Sequence, residues 1–215
     1  MNKKVIVKKT VAFVRQKLQE ESSGHDWWHI HRVVKMAKTI GKKEKADLFV
    51  VELAALLHDL DDWKNNNGDS LVGVKAATDV LKKFGIPNKT IKHVAKIIEN
   101  ISFKGILDKK SKLTSLEGKI VQDADRLDAM GAIGIGRVFA YGGNKGQLMY
   151  DPSERADAKE FGKRLSKTAI NHFYEKLLLL KDLMNTKTAK KIAKERHKFM
   201  EEYLDRFFRE WEGKI

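Results

Sequence analysis

The residues in this chain best suited to chemistry lie between positions 24 and 64, in the stretches GHDWWHIHRV and VELAALLHDLDDWK. The second carries an apolar run, Leu53-Ala54-Ala55-Leu56-Leu57, directly into His58 and Asp59. A run that is apolar on every side predicts a buried helix end, and a carboxylate taken there needs a partner or a cation. Asp62 follows His58 by four residues, so on a continued helix it would project to the same side. In the first stretch Ile30, Val33, Val34 and Ala37 make a core stripe at helical spacing. His29 shares its column with Val33, Met36 and Ile40 and points inward at the stripe's edge. His31 shares its column with Lys35, Lys38 and Lys42 and should face water. A lone histidine on an apolar face is commonly a core residue; the neighbouring His58-Asp59 pair is what makes His29 a ligand candidate. Imidazoles and carboxylates aimed at one point would form a divalent-metal site that activates a water.

Helices must position these groups. One is predicted over 46–57, with Asp47 as first-turn acid or N-cap and apolar residues at Ala46, Val50, Leu53, Ala54 and Leu57. Another runs from an Asp26 cap to about residue 42. Before it, 5–18 is amphipathic, with Val7, Val11, Val14 and Leu18 on one side, and Ser22-Ser23-Gly24 ends it. The polar run 65–68 reads as a loop beside the site. A helix over 70–84 stops at Gly85 and Pro87, and 91–101 continues the pattern, with His93 in the column of Ile97 and Asn100. His93 reads as a neighbour of the site or a structural residue.

The segment 116–129 holds Asp123, Asp125 and Asp128. Asp125 and Asp128 share a face; Asp123 lies on another, with Arg126 at i+3, and reads as a salt-bridged surface acid. Gly131, Gly134 and Gly136 suggest a closely packed helix rather than a phosphate loop, since no strand precedes them. A glycine-containing loop is predicted over 141–153, then two long helices over 158–184 and 187–211. The last aligns Ile192, Phe199, Tyr203, Phe207 and Trp211 as a core or dimer face. No stretch alternates with period two. The expected fold is all-α, a single domain over 1–215 with a core at about 20–140 and a C-terminal helical extension at about 155–212.

Several motifs occur in order: H-x-x-R-V at His29, Arg32 and Val33; the helix-ending His58-Asp59; and D-A-D-R-L-D over 123–128. With them stand ISFKG from Ile101, GAIGIGRVFA from Gly131, HFYEKL from His172 and ERHKFM from Glu195. This ordered set resembles the HD-domain metal-dependent phosphohydrolases, in particular a compact bacterial subgroup associated with nucleotide (pyro)phosphohydrolysis. The HD pair alone is only two residues; the whole series is specific. The resemblance implies His29, His58, Asp59 and Asp125 as metal ligands. Asp125 is chosen because the family's carboxylate precedes a basic residue and a leucine, as in Asp125-Arg126-Leu127. Mn²⁺, Fe²⁺, Co²⁺, Ni²⁺, Zn²⁺ or Mg²⁺ would serve, manganese first. Asp62, with Asp61 as its rival, would orient the water or take its proton. Arg32, Lys64, Lys104, Arg126 and Asp128 are the expected substrate contacts. His172, Lys176, Arg196 and His197 match recurring family positions for which packing and salt-bridging are the simplest roles.

The reaction so implied is hydrolysis of a small phosphorylated substrate, a nucleotide first, such as a nucleoside triphosphate cleaved to monophosphate and pyrophosphate. A nucleotide 5′-monophosphatase or a cyclic-nucleotide phosphodiesterase would use the same site. A basic helical nucleic-acid-binding protein and a catalytically silent regulatory module are the alternatives of other classes.

Composition fits an enzyme-sized helical protein. The 215 residues are 42% hydrophobic, with two prolines and no cysteine. Disulfides and thiolate metal sites are therefore excluded, leaving His and carboxylate ligands. A net charge of +14 favours an anionic partner. The lysines are dispersed, and no nucleic-acid-binding motif accompanies them, which argues against nucleic acid. No run reaches about 18 apolar residues, and the start lacks a signal peptide's apolar core. The expectation is a cytoplasmic protein without a membrane partner, and a homodimer is compatible with the aromatic face.

Overall fold

The computed structural model describes residues 2–18, 26–60, 71–101, 113–154, 156 and 166–215, and the fold is all-α. In chain order the helices are α1 (Lys3–Lys17), α2 (Trp27–Lys43), α3 (Leu48–Leu57), α4 (Leu71–Lys83), α5 (Asn88–Ile101), α6 (Leu116–Asp128), α7 (Gly131–Asn144), α8 (Ala169–Glu175), a 3₁₀ helix (Leu177–Leu183) and α9 (Lys187–Trp211). Among the described residues, β-type pairing is limited to a parallel bridge between Leu148 and Thr168. No described helix is long and apolar enough to cross a membrane. Two compact units result, Met1–Ala124 and Asp125–Ile215.

The first unit is built around α3, against which α1, α2 and α5 pack. The reason is its sequence: from Phe49 to Leu57 every residue except Glu52 is buried. Full burial of each large aliphatic side chain there stabilises by about 1.5–3 kcal/mol. Asp47 opens the helix as its N-cap, accepting from the Phe49 N–H at 2.9 Å. The Asp47 N–H in turn donates to Glu117 at 3.1 Å, which fastens the start of α6 to the start of α3. Asp26 caps α2 by accepting from the His29 N–H at 2.8 Å. Gly41 permits close packing on α3, because a Cβ there would lie 2.9 Å from Leu48 Cδ2. The α4–α5 turn uses Gly85 at φ +70°, a conformation glycine adopts without steric cost.

One expectation for this unit changes. The buried face of α1 is Ile6, Thr10 and Val14, whereas Val7 and Val11 are only half-buried. Thr10 enters the core because its hydroxyl is satisfied locally, donating to the Ile6 carbonyl at 3.0 Å.

In the second unit the departures are larger. The helix starting at Gly131 continues to Asn144, through the stretch expected to begin a loop. Gly134 is required, since a Cβ would fall 2.3 Å from the Ala129 carbonyl oxygen, whereas Gly136 faces open space. Of the long helix expected over 158–184, residues 157–165 lie outside the described set. The rest is two short pieces: α8, capped by Thr168, and the 3₁₀ helix. Lys176 separates them with φ −142° and ψ −58°, outside the helical region. On α9 the fully covered stripe is Ala189, Ala193, Met200 and Leu204. The aromatic stripe lies at its margin, with Phe199 and Trp211 each 47% exposed. Tyr203 nonetheless stacks on Phe173, ring centroids 6.0 Å apart.

Candidate metal centre

The end of α3 delivers His58 into the first unit's interior, because the apolar run before it has no side free for water. His58 is the C-cap, and its Nδ1 lies 2.9 Å from the Ala55 carbonyl oxygen. A carbonyl only accepts, so Nδ1 carries a proton, which in a neutral ring leaves the lone pair on Nε2. Such fixing of the tautomer through the other ring nitrogen is how metal-binding histidines are oriented. His29, in the first turn of α2, is fully buried. The two rings stand 5.5 Å apart, and both Nε2 atoms approach one oxygen of Asp59, at 3.3 Å from His29 and 3.4 Å from His58.

Asp125 completes a group. The boundary between the two units falls inside α6, between Ala124 and Asp125, so one continuous helix carries Asp125 on from the first unit. One ligand atom each from His29, His58 and Asp125 lies within 4.8 Å of the other two. Two imidazoles and a carboxylate, with a second carboxylate at Asp59, are a donor set suited to a divalent transition metal. The residues present therefore fit a metal ion.

The other expected site residues fall into three sets. His31 stays outside the group: its ring packs on Trp27 and Trp28 at 5.8 and 5.7 Å. Burial first, then Lys35 and Arg32, hold its pKa below the ordinary histidine value. Arg32 is half-buried on the same helix. Asp61, Asp62, Lys64 and Lys104 lie outside the described residues. Arg126 and Asp128 are buried within the second unit: Arg126 donates to the Leu183 carbonyl, and Asp128 pairs with Arg137 at 2.9 Å. Arg196 donates to the Leu127 carbonyl. Asp123, expected at the surface, is fully buried instead. Around it on α6, Ile120, Val121, Ala124 and Leu127 are all at 0% exposure, so the helix is covered on the side that carries Asp123. His93 turns to Glu117 at 3.6 Å, a link between α5 and α6.

A second histidine group, in the second unit, was not legible as a cluster in the sequence. Ser166 donates to Glu175, and its Oγ lies 3.2 Å from His172 Nδ1. A serine has one proton, here spent on the carboxylate, so the His172 Nδ1–H must be the donor to Oγ. The direction is opposite to that of a histidine activating a serine nucleophile. Burial first, then the nearby Lys176, lower the His172 pKa to about 4. His197 bonds within its surroundings as well, 3.3 Å from Glu201 one turn along α9.

Comparison with known proteins places this geometry. Residues 27–130 match the HD domain. An uncharacterized protein of Bacillus subtilis, YpgQ, is 45% identical over 192 residues, covering 89% of this chain and 87% of its own. The crystal structure of an HD-superfamily hydrolase from Bacillus thuringiensis superposes with a TM-score of 0.79 at 45% identity, over 98% of this chain and 99% of that one. The structure of Bacillus subtilis YpgQ in complex with ADP gives a TM-score of 0.75 at 41% identity, over 95% and 97%.

Proposed function

Because this chain belongs to the HD superfamily, we propose that it is a divalent-metal-dependent phosphohydrolase whose substrate is a small phosphorylated molecule, a nucleotide above all. The observation carrying this reading is the convergence of His29, His58 and Asp125 ligand atoms within 4.8 Å, with Asp59 against both imidazoles. The nucleotide part is supported by the ADP found with the similar YpgQ. Cleavage of a nucleoside triphosphate to monophosphate and pyrophosphate is the reaction we favour, and manganese the metal.

In this reading His29, His58, Asp59 and Asp125 hold the cation, which when bound supplies Lewis-acid polarisation of the phosphoryl group and activation of water. The Ala55 carbonyl keeps the His58 proton on Nδ1 and leaves Nε2 to the site. Asp62 takes the proton of the attacking water, with Asp61 as the nearest substitute. Arg32, Lys64 and Lys104 offset substrate charge. Arg126 and Asp128, engaged with Leu183 and Arg137, hold the end of α6 and act as positioning residues. The whole chain is read as one catalytic unit.

The test is elemental analysis of the purified protein, followed by a panel of mono-, di-, tri- and cyclic nucleotides assayed with each metal. Pyrophosphate release from triphosphates is expected. Orthophosphate from monophosphates alone, or ring opening of cyclic nucleotides alone, would reassign the substrate. No hydrolysis with any metal would overturn the reading.

A further inference from the structure

The first turn of α2 carries a feature that metal binding does not use. Trp28 precedes the buried His29 and is 58% exposed. That exposure leaves a large, flat aromatic ring open to solvent. The ring is nevertheless held: His31, one turn along, meets it at 84° with centroids 5.7 Å apart. His31 also packs on Trp27, at 5.8 Å and 49°. In an edge-to-face pair at most one face of the indole is covered by its partner's edge. The 58% exposure is consistent with an open second face. The ring is therefore fixed by a neighbour while still offering a flat aromatic surface.

Its position suits a ligand reaching the metal group. Successive helical residues leave the axis about 100° apart, so the exposed indole and the buried His29 imidazole leave the same turn of α2 in different directions. Arg32 lies four residues from Trp28, in the same column. A flat aromatic face, then a guanidinium, beside a cation site is a sequence of contacts that matches base, sugar and phosphates in order.

We propose that Trp28 is the stacking platform for the substrate's nucleobase, with His31 as the residue that sets the indole's orientation. This rests on the nucleotide reading given above and adds the part of the substrate that Trp28 binds. Stacking engages the π-face common to all bases rather than their hydrogen-bonding edges. The platform thus confers affinity for nucleotides as a class.

The experiment compares wild type with W28A, W28F and W28L. It measures metal content, kcat and KM for the best nucleotide, and the Ki of inorganic tripolyphosphate, which has phosphates but no base, as a competitor. Stacking on an aromatic side chain is worth about 1–3 kcal/mol per base, so W28A should raise KM by roughly 5- to 150-fold. The tripolyphosphate Ki should move far less, and kcat should fall less than KM rises. W28F should recover most of the affinity and W28L little, which keeps the test valid if alanine disturbs the helix. A KM within twofold of wild type in W28A overturns the proposal, as do equal changes in KM and tripolyphosphate Ki, or W28L equalling W28F. A wild-type protein that turns over phosphate esters but no nucleotide overturns the nucleotide reading, and this inference with it.

Discussion

The two histidine groups of this protein differ in where their hydrogen bonds end. In the second unit the chain is closed: His172 donates to Ser166, and Ser166 donates to Glu175. In the first unit His58 spends its one neutral-state proton on Ala55, and its Nε2 then faces a carboxylate oxygen at 3.4 Å. His29 Nε2 faces the same oxygen at 3.3 Å. A lone pair on His58 Nε2 facing that carboxylate is repelled unless a proton or a cation lies between them. Both groups combine histidine with a carboxylate in the interior, so burial alone does not tell them apart. The direction of the protons does: the His172 proton closes the second group on itself, whereas the His58 proton turns away from the carboxylate, where we propose a metal.

The sharpest way to break this contrast is to remove one member from each group. Alanine at His58 or Asp59 should abolish both bound transition metal and turnover, whereas Glu175→Gln should leave metal content stoichiometric. Within α2, His29→Ala should lose metal and His31→Ala should keep it. Elemental analysis of the purified variants reads all five. Stoichiometric metal in both the His58 and Asp59 variants would sink the ligand assignment, and loss from His31→Ala instead of His29→Ala would put the helix register off by two.

A smaller effect separates metal binding from proton transfer. Asp62→Asn retains shape but loses the proton acceptor, so metal occupancy should persist while kcat falls by roughly 10²–10⁴. A kcat within about threefold of wild type at saturating metal would dismiss Asp62 as the base and make Asp61→Asn the next variant. The same fall accompanied by lost metal would instead make Asp62 a ligand.

The first unit was largely legible in the sequence because its signals are local. Asp26 and Asp47 are caps by type and place, and both do cap. The 3.6-residue period picked out His29 as the buried one of the pair, but His31, expected to face water, is half-buried against Trp27 and Trp28. Asp123 was misread because Arg126 at i+3 offers an obvious surface pair. Both residues are buried, and that arginine donates to Leu183, 57 positions away, a contact made by tertiary packing and invisible to spacing. The break at Lys176 was equally hidden: no glycine or proline marks it, and its backbone leaves the helix between residues of ordinary helical preference. Gly142 and Gly143 suggested a loop, yet α7 includes them; a Cβ at Gly142 would lie 3.2 Å from the Gln147 side chain. The aromatic spacing on α9 located a real cluster but not the covered face, since small residues, Ala189 and Ala193, are what let the helix pack closely.

The mildest perturbation tests the structural half of the contrast through pH. His172 has its pKa lowered from 6.5 to about 4, burial being the larger cause and Lys176 the second. Between those values the unfolded chain binds a proton at this position that the folded chain refuses. Stability therefore falls as pH drops from 6.5 towards about 4, and it levels off below, where the folded state binds the proton too. At 1.36 kcal/mol per pH unit the loss amounts to at most about 3 kcal/mol. His172→Asn offers a hydrogen-bonding nitrogen near the Nδ1 position and cannot titrate, so it should flatten this acid limb while costing about 1 kcal/mol or less at neutral pH. Urea melts of wild type and variant at pH 7, 5.5 and 4.5 measure the difference. Parallel acid limbs in the two proteins would mean that His172 takes up its proton in the folded state as readily as in the unfolded chain, and that burial and Lys176 do not hold its pKa down.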